Sequence, residues 1–431
     1  DNVIDEVVWV VGDEAILKSD VENERLNAQY EGRKFDGDPY CIIPEQLAIQ
    51  KLFLHQAAID SIEVSEQEII SDVERRTNWL IDQIGSKEKV EEYYNKTSTQ
   101  IREMLRENIR DGKTVQKMQQ QIVGDIKITP AEVRRYFKDL PQDSIPFIPT
   151  QVEVQIITME PKIPQEEIER VKKTLRDYTE RVTSGEIAFS TLARLYSEDE
   201  GSRRRGGELG FMGRAELVPE YANVAFNLQD PNKVSKIVES EFGFHIIQLI
   251  EKRGDRINTR HILLKPKVDE KDLEAALLRL DSIANDIRNE KFTFDDAATY
   301  ISHDKDTRNN HGLMANPQTG TARFEMQQLA QVSQEAAKMV EGMNVGEISK
   351  PFTMINAKGK EICAIVKLKT RLNGHKATIT EDYQRLKGIV MEKRSEEKLD
   401  KWIRDKQKHT YVRINEKWQK CDFKYPGWVK K

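Results

Sequence analysis

The chain is poor in cysteine. It has three, Cys41, Cys363 and Cys421, odd in number and far apart over 431 residues. They form neither a disulfide framework nor a zinc-site spacing, so the redox compartment stays open on this count. The seven histidines include no HxH or HxxxH pair, which argues against a metal site. There is no basic excess either: a net charge of -5 leaves no electrostatic footprint for nucleic acid. Long apolar runs are also missing. VVWVV at 7–11 falls far short of the roughly 18–20 residues that span a bilayer. No methionine opens the chain; Asp1 fits a processed or trimmed start, such as one left by a cleaved signal peptide.

Against these absences stand 38% hydrophobic and 33% charged residues, enough for packed cores under a densely charged surface. The length suggests roughly three or four domains. Residues 3–17 read as a hairpin turning at Gly12-Asp13. Ser19…Glu22, Ser65…Glu68 and Thr97…Gln100 have capping-box spacing. Thr129-Pro130-Ala131-Glu132 adds proline at the first helical position. Residues 1–140 are therefore expected to be mainly helical, with PQDSIPFIPT (141–150) as a linker.

An internal repeat follows. SGEIAFSTLARLYSED (184–199) aligns without gaps on NEKFTFDDAATYISHD (289–304), matching Phe189 to Phe294, Ala193 to Ala298, Ser197 to Ser302 and Asp199 to Asp304. Upstream, VEVQIITMEP (152–161) corresponds to NTRHILLKP (258–266), each followed by a charged amphipathic helix. Downstream, KVSKIV (233–238) matches EISKPF (347–352). A period of about 105 residues exceeds solenoid repeats and indicates a duplicated small α/β domain. Beyond it lies a long helical segment, 380–408, with Tyr383, Leu386, Ile389, Val390, Leu399, Trp402 and Ile403 as candidate inner positions. TYVRI (410–414) reads as a strand, and Trp418, Phe423, Tyr425 and Trp428 as a cap on a core.

The first copy carries, in order, YSEDEGSRRRGGELGFM, LVPEY and FGFHIIQL. This ordered set resembles the parvulin family of peptidyl-prolyl isomerases, over 152–251 and, more weakly, 257–370. A helical N-terminal region, two parvulin units and a closing helix together resemble the SurA-type periplasmic chaperones. The resemblance implies an α+β multidomain chain. Residues 1–148 would be a helical chaperone region, 149–254 the first parvulin-like domain and 255–371 a degenerate second, each of the FKBP-like superfold. Residues 372–431 would be a C-terminal helix and aromatic tail completing the N-terminal region.

By the same resemblance, Asp199 takes the acidic or thiol position, with His245 from FGFHII and Gln155 where most parvulins place the first histidine. Leu209, Leu217, Tyr221 and Phe242 would form the proline pocket. In the second copy His261, Asp304 and the wall residue Leu313 match, while FGFHII gives way to KGKEICAIVKL (358–368). Each copy is thus expected to lack one histidine, at opposite positions, and the first to be the better isomerase. Each strand histidine can equally be read as a hydrogen-bonded core residue, and each loop aspartate as satisfying local N–H groups.

The implied chemistry needs no nucleophile, metal or cofactor. Rotation about a peptide bond faces a barrier of about 18–20 kcal/mol because resonance must be broken. A site lowers it by favouring the twisted amide over the planar one. The implied partners are unfolded or extended polypeptides, X–Pro segments and outer-membrane protein clients, in the periplasm. A silent peptide holder and a membrane-anchored foldase remain the rival readings.

Overall fold

A computed structural model describes residues 5–429. The strands are β1 (Val7–Val11), β2 (Glu14–Leu17), β3 (Phe147–Ile148), β4 (Gln151–Met159), β5 (Glu208–Gly213), β6 (Val238–Ser240) and β7 (Gly243–Arg253). They continue as β8 (Arg256–Leu264), β9 (Phe324–Glu325), β10 (Phe352–Ile355), β11 (Glu361–Leu372), β12 (His375–Lys376) and β13 (Val412–Ile414). No helix is long and apolar enough to cross a membrane among the described residues.

Contacts divide the chain into two units. The first takes Asp1–Arg76, Lys96–Ile145 and Thr378–Lys431. Its strands form the order β13-β1-β2, and Gly12 turns β1 into β2 with φ +63°. The capping boxes at Thr97 and Thr129 form as expected. The one at Ser19 does not: the helix starts at Lys18, and Asp20 accepts from Leu17 N. The helix Ile379–His409 packs on Pro130–Asp139, Ser98–Val123 and Pro39–Ile59, burying Leu386, Val390 and Ile403. Trp402 stacks on Phe53 at 4.9 Å. Trp9 meets Phe423 and Trp428 edge-on at 5.2 and 5.4 Å. Buried Glu45 accepts hydrogen bonds from Lys424 N, Tyr425 N and Trp428 Nε1. The aromatic tail is therefore a cap on this core. A disulfide joins Cys41 to Cys421 across 380 residues. Spacing hid it, because only the fold brings the chain ends together.

The second unit takes Thr77–Asn95 and Pro146–Ala377 and holds two lobes, each with one four-stranded sheet. Residues 77–95 thus belong with the lobes rather than with the N-terminal region, where the sequence placed them. The first lobe has strand order β5-β8-β7-β6, with helices Gln165–Thr183, Phe189–Tyr196 and Pro219–Ala225. The second has β10-β11-β4-β9, with helices Glu270–Arg288, Phe294–Tyr300, Met326–Val332 and Gln334–Glu341.

The lobes exchange their first strands. Each repeat copy was expected to fold on its own stretch of chain. Instead β4, which opens the first copy, pairs along its length with β11 of the second, from Gln151↔Leu372 to Met159↔Cys363. Strand β8, which opens the second copy, pairs with β7 of the first, from Phe244↔Leu264 to Arg253↔Arg256. A local cause is visible in the chain. Only Gly254-Asp255 separates β7 from β8, with Gly254 at φ +61°. A two-residue loop of this kind returns the chain antiparallel onto the strand just completed. Strand β8 thereby fills the place beside β7, and β4 pairs with β11. Both are core strands: Ile262 packs in the first lobe and Ile156 in the second, each almost fully buried.

Candidate functional site

The loop after Asp199 positions the site. Gly206 and Gly207 have φ +67° and +84°, a region that favours glycine. A Cβ on Gly207 would lie 2.3 Å from the His261 carbonyl oxygen. The pair thus lets the loop backbone lie against β8, where Gly207 O accepts from His261 N at 3.0 Å.

This contact brings three titratable groups together. His261 Nε2 is 2.7 Å from Asp199 Oδ2 and 3.2 Å from Ser202 Oγ. His261 Nδ1 is 3.0 Å from His245 Nδ1, and His245 Nε2 is 2.6 Å from Ser240 Oγ. The imidazoles stack with centroids 5.2 Å apart, and Tyr221 stands edge-on to both. Tyr221 OH meets Thr259 Oγ1 at 2.8 Å.

The proton positions follow from the acceptor at the end of the chain. An ionised carboxylate only accepts, so His261 donates from Nε2 to Asp199. One proton is shared between His261 Nδ1 and His245 Nδ1, and His245 Nε2 pairs with the Ser240 hydroxyl. Burial pushes His245 down to about 3, and the neighbouring His261 adds to this. Burial opposes ionisation of Asp199, but hydrogen bonds from His261, Ser202 and Gly201 N–H hold its carboxyl well below the usual range. Burial raises the Tyr221 phenol, which stays protonated. Asp199 is the accessible end, with its side chain 28% exposed against 6% for His261.

Beside the histidines, Leu209 and Leu217 pack with Tyr221, Val238, Ile247 and Ile257 in one apolar cluster. Phe242 is half-buried, and its N–H donates to Ser240 Oγ, the hydroxyl that meets His245. Ser202, Ser240 and Thr259 were missed in the sequence. Only Ser202 left a signal there, as the third residue after Asp199, where Thr307 follows Asp304.

The second lobe repeats the frame without the histidines. Ser197 Oγ accepts from Leu263 N, and Ser302 Oγ from Thr158 N. Gly207 O accepts from His261 N, and Gly312 O from Ile156 N. These bonds place Ile156, not Gln155, at the position of His261. The strand pairings His245↔Leu263 and Ala364↔Thr158 likewise place Ala364 at that of His245.

Gln155 is one residue out of register, which turns it to the opposite face. Its Nε2 donates to Asp295 Oδ1 at 2.6 Å and to His311 O at 2.9 Å. Asp304 accepts from Thr307 Oγ1 at 2.6 Å. Leu313 bridges to Gln155. Each copy contributes one histidine, but the strand exchange sets both in the first lobe, and apolar residues fill their places in the second.

Similarity to known proteins follows the linear order of the copies. The PPIC-type PPIASE (rotamase) domain matches at 156–251 and again at 261–370. Chaperone SurA of Aliivibrio fischeri is 24% identical over 438 residues, covering 95% of this chain and 92% of that protein. Chaperone SurA of Salmonella typhi is 25% identical over 328 residues, covering 72% and 74%. A solved SurA-like chaperone from Campylobacter jejuni covers 95% of this chain and 99% of its own, at 8% identity and a TM-score of 0.31. With two segments that match the PPIC-type peptidyl-prolyl isomerase domain between helical chain ends that close one core, the chain is similar to the SurA chaperones over nearly its whole length.

Proposed function

We propose that isomerisation takes place at the first lobe alone, in a centre built from both repeat copies. Asp199, Ser202, Tyr221 and His245 come from the first copy, His261 from the second. The observation that carries this reading is the unbroken hydrogen-bond chain from Ser240 through His245 and His261 to one accessible carboxylate. In a planar amide the carbonyl oxygen carries more negative charge than in the twisted one. A fixed carboxylate beside that oxygen therefore disfavours the planar ground state relative to the transition state. Asp199 is the catalytic residue in this scheme. His261 and His245 act through it as positioning residues, holding it ionised and aimed. Leu209, Leu217, Tyr221 and Phe242 would receive the proline ring.

The second lobe, with Ile156 and Ala364 at the histidine positions, would hold extended peptide without turning it over. A wholly silent chain is less well supported, because the first lobe keeps the full set. The first unit would hold clients, which the SurA-type resemblance suggests are unfolded outer-membrane proteins in the periplasm.

The test measures X–Pro isomerisation by the full chain carrying Asp199→Asn, His261→Gln or Asp304→Asn. The first two should each lose at least about tenfold in kcat/KM, within the range of a lost electrostatic stabiliser. Asp304→Asn should match the parent. A loss in Asp304→Asn comparable to that in Asp199→Asn would contradict the assignment.

A further inference from the structure

We infer that Asp82 and Asn78, more than a hundred residues upstream of the site, are positioning residues for the isomerase centre. The inference rests on the first lobe being that centre. Both lie on the helix Glu66–Ile84, in the part that belongs with the lobes. Arg205, in the loop between Asp199 and Leu209, donates from Nη1 to both carboxylate oxygens of Asp82, at 2.9 and 2.7 Å. Its Nε donates to Glu208 O at 3.3 Å, within the same loop. Asn78 Nδ2 donates to Leu209 O at 3.3 Å.

The loop has two functional ends, with Asp199 and Ser202 at one and the apolar wall residue Leu209 at the other. The Asp199 end is tied to β8 through His261. The other end is in β5, paired with β8 at Glu208↔Arg260 and Phe211↔Asn258, and Gly210 N donates to Asn258 Oδ1. The register shifts between those two pairs, at Leu209, and there the helix adds a hold through Asn78. Gly207 is fixed against β8, so the irregular stretch is the one at Leu209, where the β5–β8 register shifts and the helix bonds reach it.

The Arg205 side chain is only 9% exposed. Removing Asp82 leaves a nearly buried guanidinium without its counter-charge, a state that strongly favours rearrangement. The rearrangement moves Leu209, and with it the surface offered to the proline ring. The carboxylate of Asp199 keeps its own partners. Binding is therefore affected ahead of turnover.

The experiment measures kcat and KM separately in the full chain for Asp82→Ala, Asn78→Ala and Asp82→Glu, with His261→Gln as the reference for the site itself. Asp82→Ala should raise KM about five- to tenfold with kcat within about twofold, and Asn78→Ala should do the same more weakly. Asp82→Glu should recover most of the loss. A merely structural role would lower kcat through a smaller folded fraction while leaving KM unchanged; that result overturns the inference, as does an unchanged KM in both alanine variants. If Asp82→Ala does not fold, the Asn78→Ala result decides by the same criterion. A His261→Gln chain with full activity would instead overturn the site assignment on which the inference rests.

Discussion

His261 and Asp199 meet at 2.7 Å although 62 residues separate them and they belong to different repeat copies. The contact exists because β8 lies beside β7, on the first lobe's sheet. A fragment ending at residue 254 holds Asp199 and His245 but not His261. Such a fragment is therefore expected to be a poor isomerase, even though it spans one complete repeat copy.

Substitution at Gly207 should act on the centre through the backbone. An added Cβ would lie 2.3 Å from the His261 carbonyl oxygen and 3.1 Å from Ala193 Cβ, at φ +84°. Gly207→Ala is expected to displace β8 and remove most isomerase activity. Gly185 has a similar φ of +78°, with nothing within 4 Å of its Cβ position. Gly185→Ala should therefore cost only about 1 kcal/mol of stability, the penalty of the left-handed backbone, and leave activity intact. Equal activity in the two variants would contradict the close approach.

Stability should fall with acid in a way that His245 carries. Its folded pKa is about 3 against an ordinary 6.5. Between those values the unfolded chain binds the extra proton. Stability from this group is thus present above about pH 6.5 and lost as pH falls towards 3, by at most about 1.4 kcal/mol per pH unit. Asp199, also depressed, adds a loss of the same sign below its ordinary value of 3.8. Denaturant melts of the full chain at pH 7.5, 6 and 5 should show the decline, and His245→Gln should flatten it. An unchanged slope in that variant would place the acid sensitivity elsewhere.

The disulfide makes a separate claim on the first unit. Cys41–Cys421 ties the helix Pro39–Ile59 to the tail that caps Trp9. Its reduction, or Cys421→Ser, should destabilise this unit by about 2–4 kcal/mol. The isomerase transition should stay where it was. Differential scanning calorimetry with and without reductant separates the two, and a shift confined to the isomerase transition would be inconsistent with this assignment.

Much of this architecture was legible along the chain. The capping boxes at Thr97 and Thr129 and the Gly12-Asp13 hairpin rest on local signals, and local hydrogen bonds decide them; the place of the C-terminal helix was legible instead from apolar faces that needed a cover. The repeat marked Asp199, and the parvulin resemblance marked His245 and the apolar wall. Aligning copies in linear order, however, says nothing about which sheet a strand joins, so His261 went to the wrong lobe. One residue of register misplaced Gln155, since a strand reverses its faces at every step. The signal that would have corrected the first error was present: Gly254-Asp255 has the same Gly-Asp form as the turn at Gly12. Cys41 with Cys421, and Arg205 with Asp82, had no such signal, because only tertiary structure makes them neighbours.

The exchange of β4 and β8 is most directly tested by cross-linking in the full chain. Glu153 pairs with Thr370 across β4 and β11, while Glu251 pairs with Asn258 across β7 and β8. Copies folded each on its own first strand would instead set Glu153 beside Glu251, the residue equivalent to Thr370. The double variants Glu153→Cys/Thr370→Cys and Glu153→Cys/Glu251→Cys are oxidised and mapped by peptide mass spectrometry. Exchanged strands should give the 153–370 cross-link in high yield and no 153–251 cross-link. A 153–251 cross-link without the 153–370 product would contradict the composite isomerase centre.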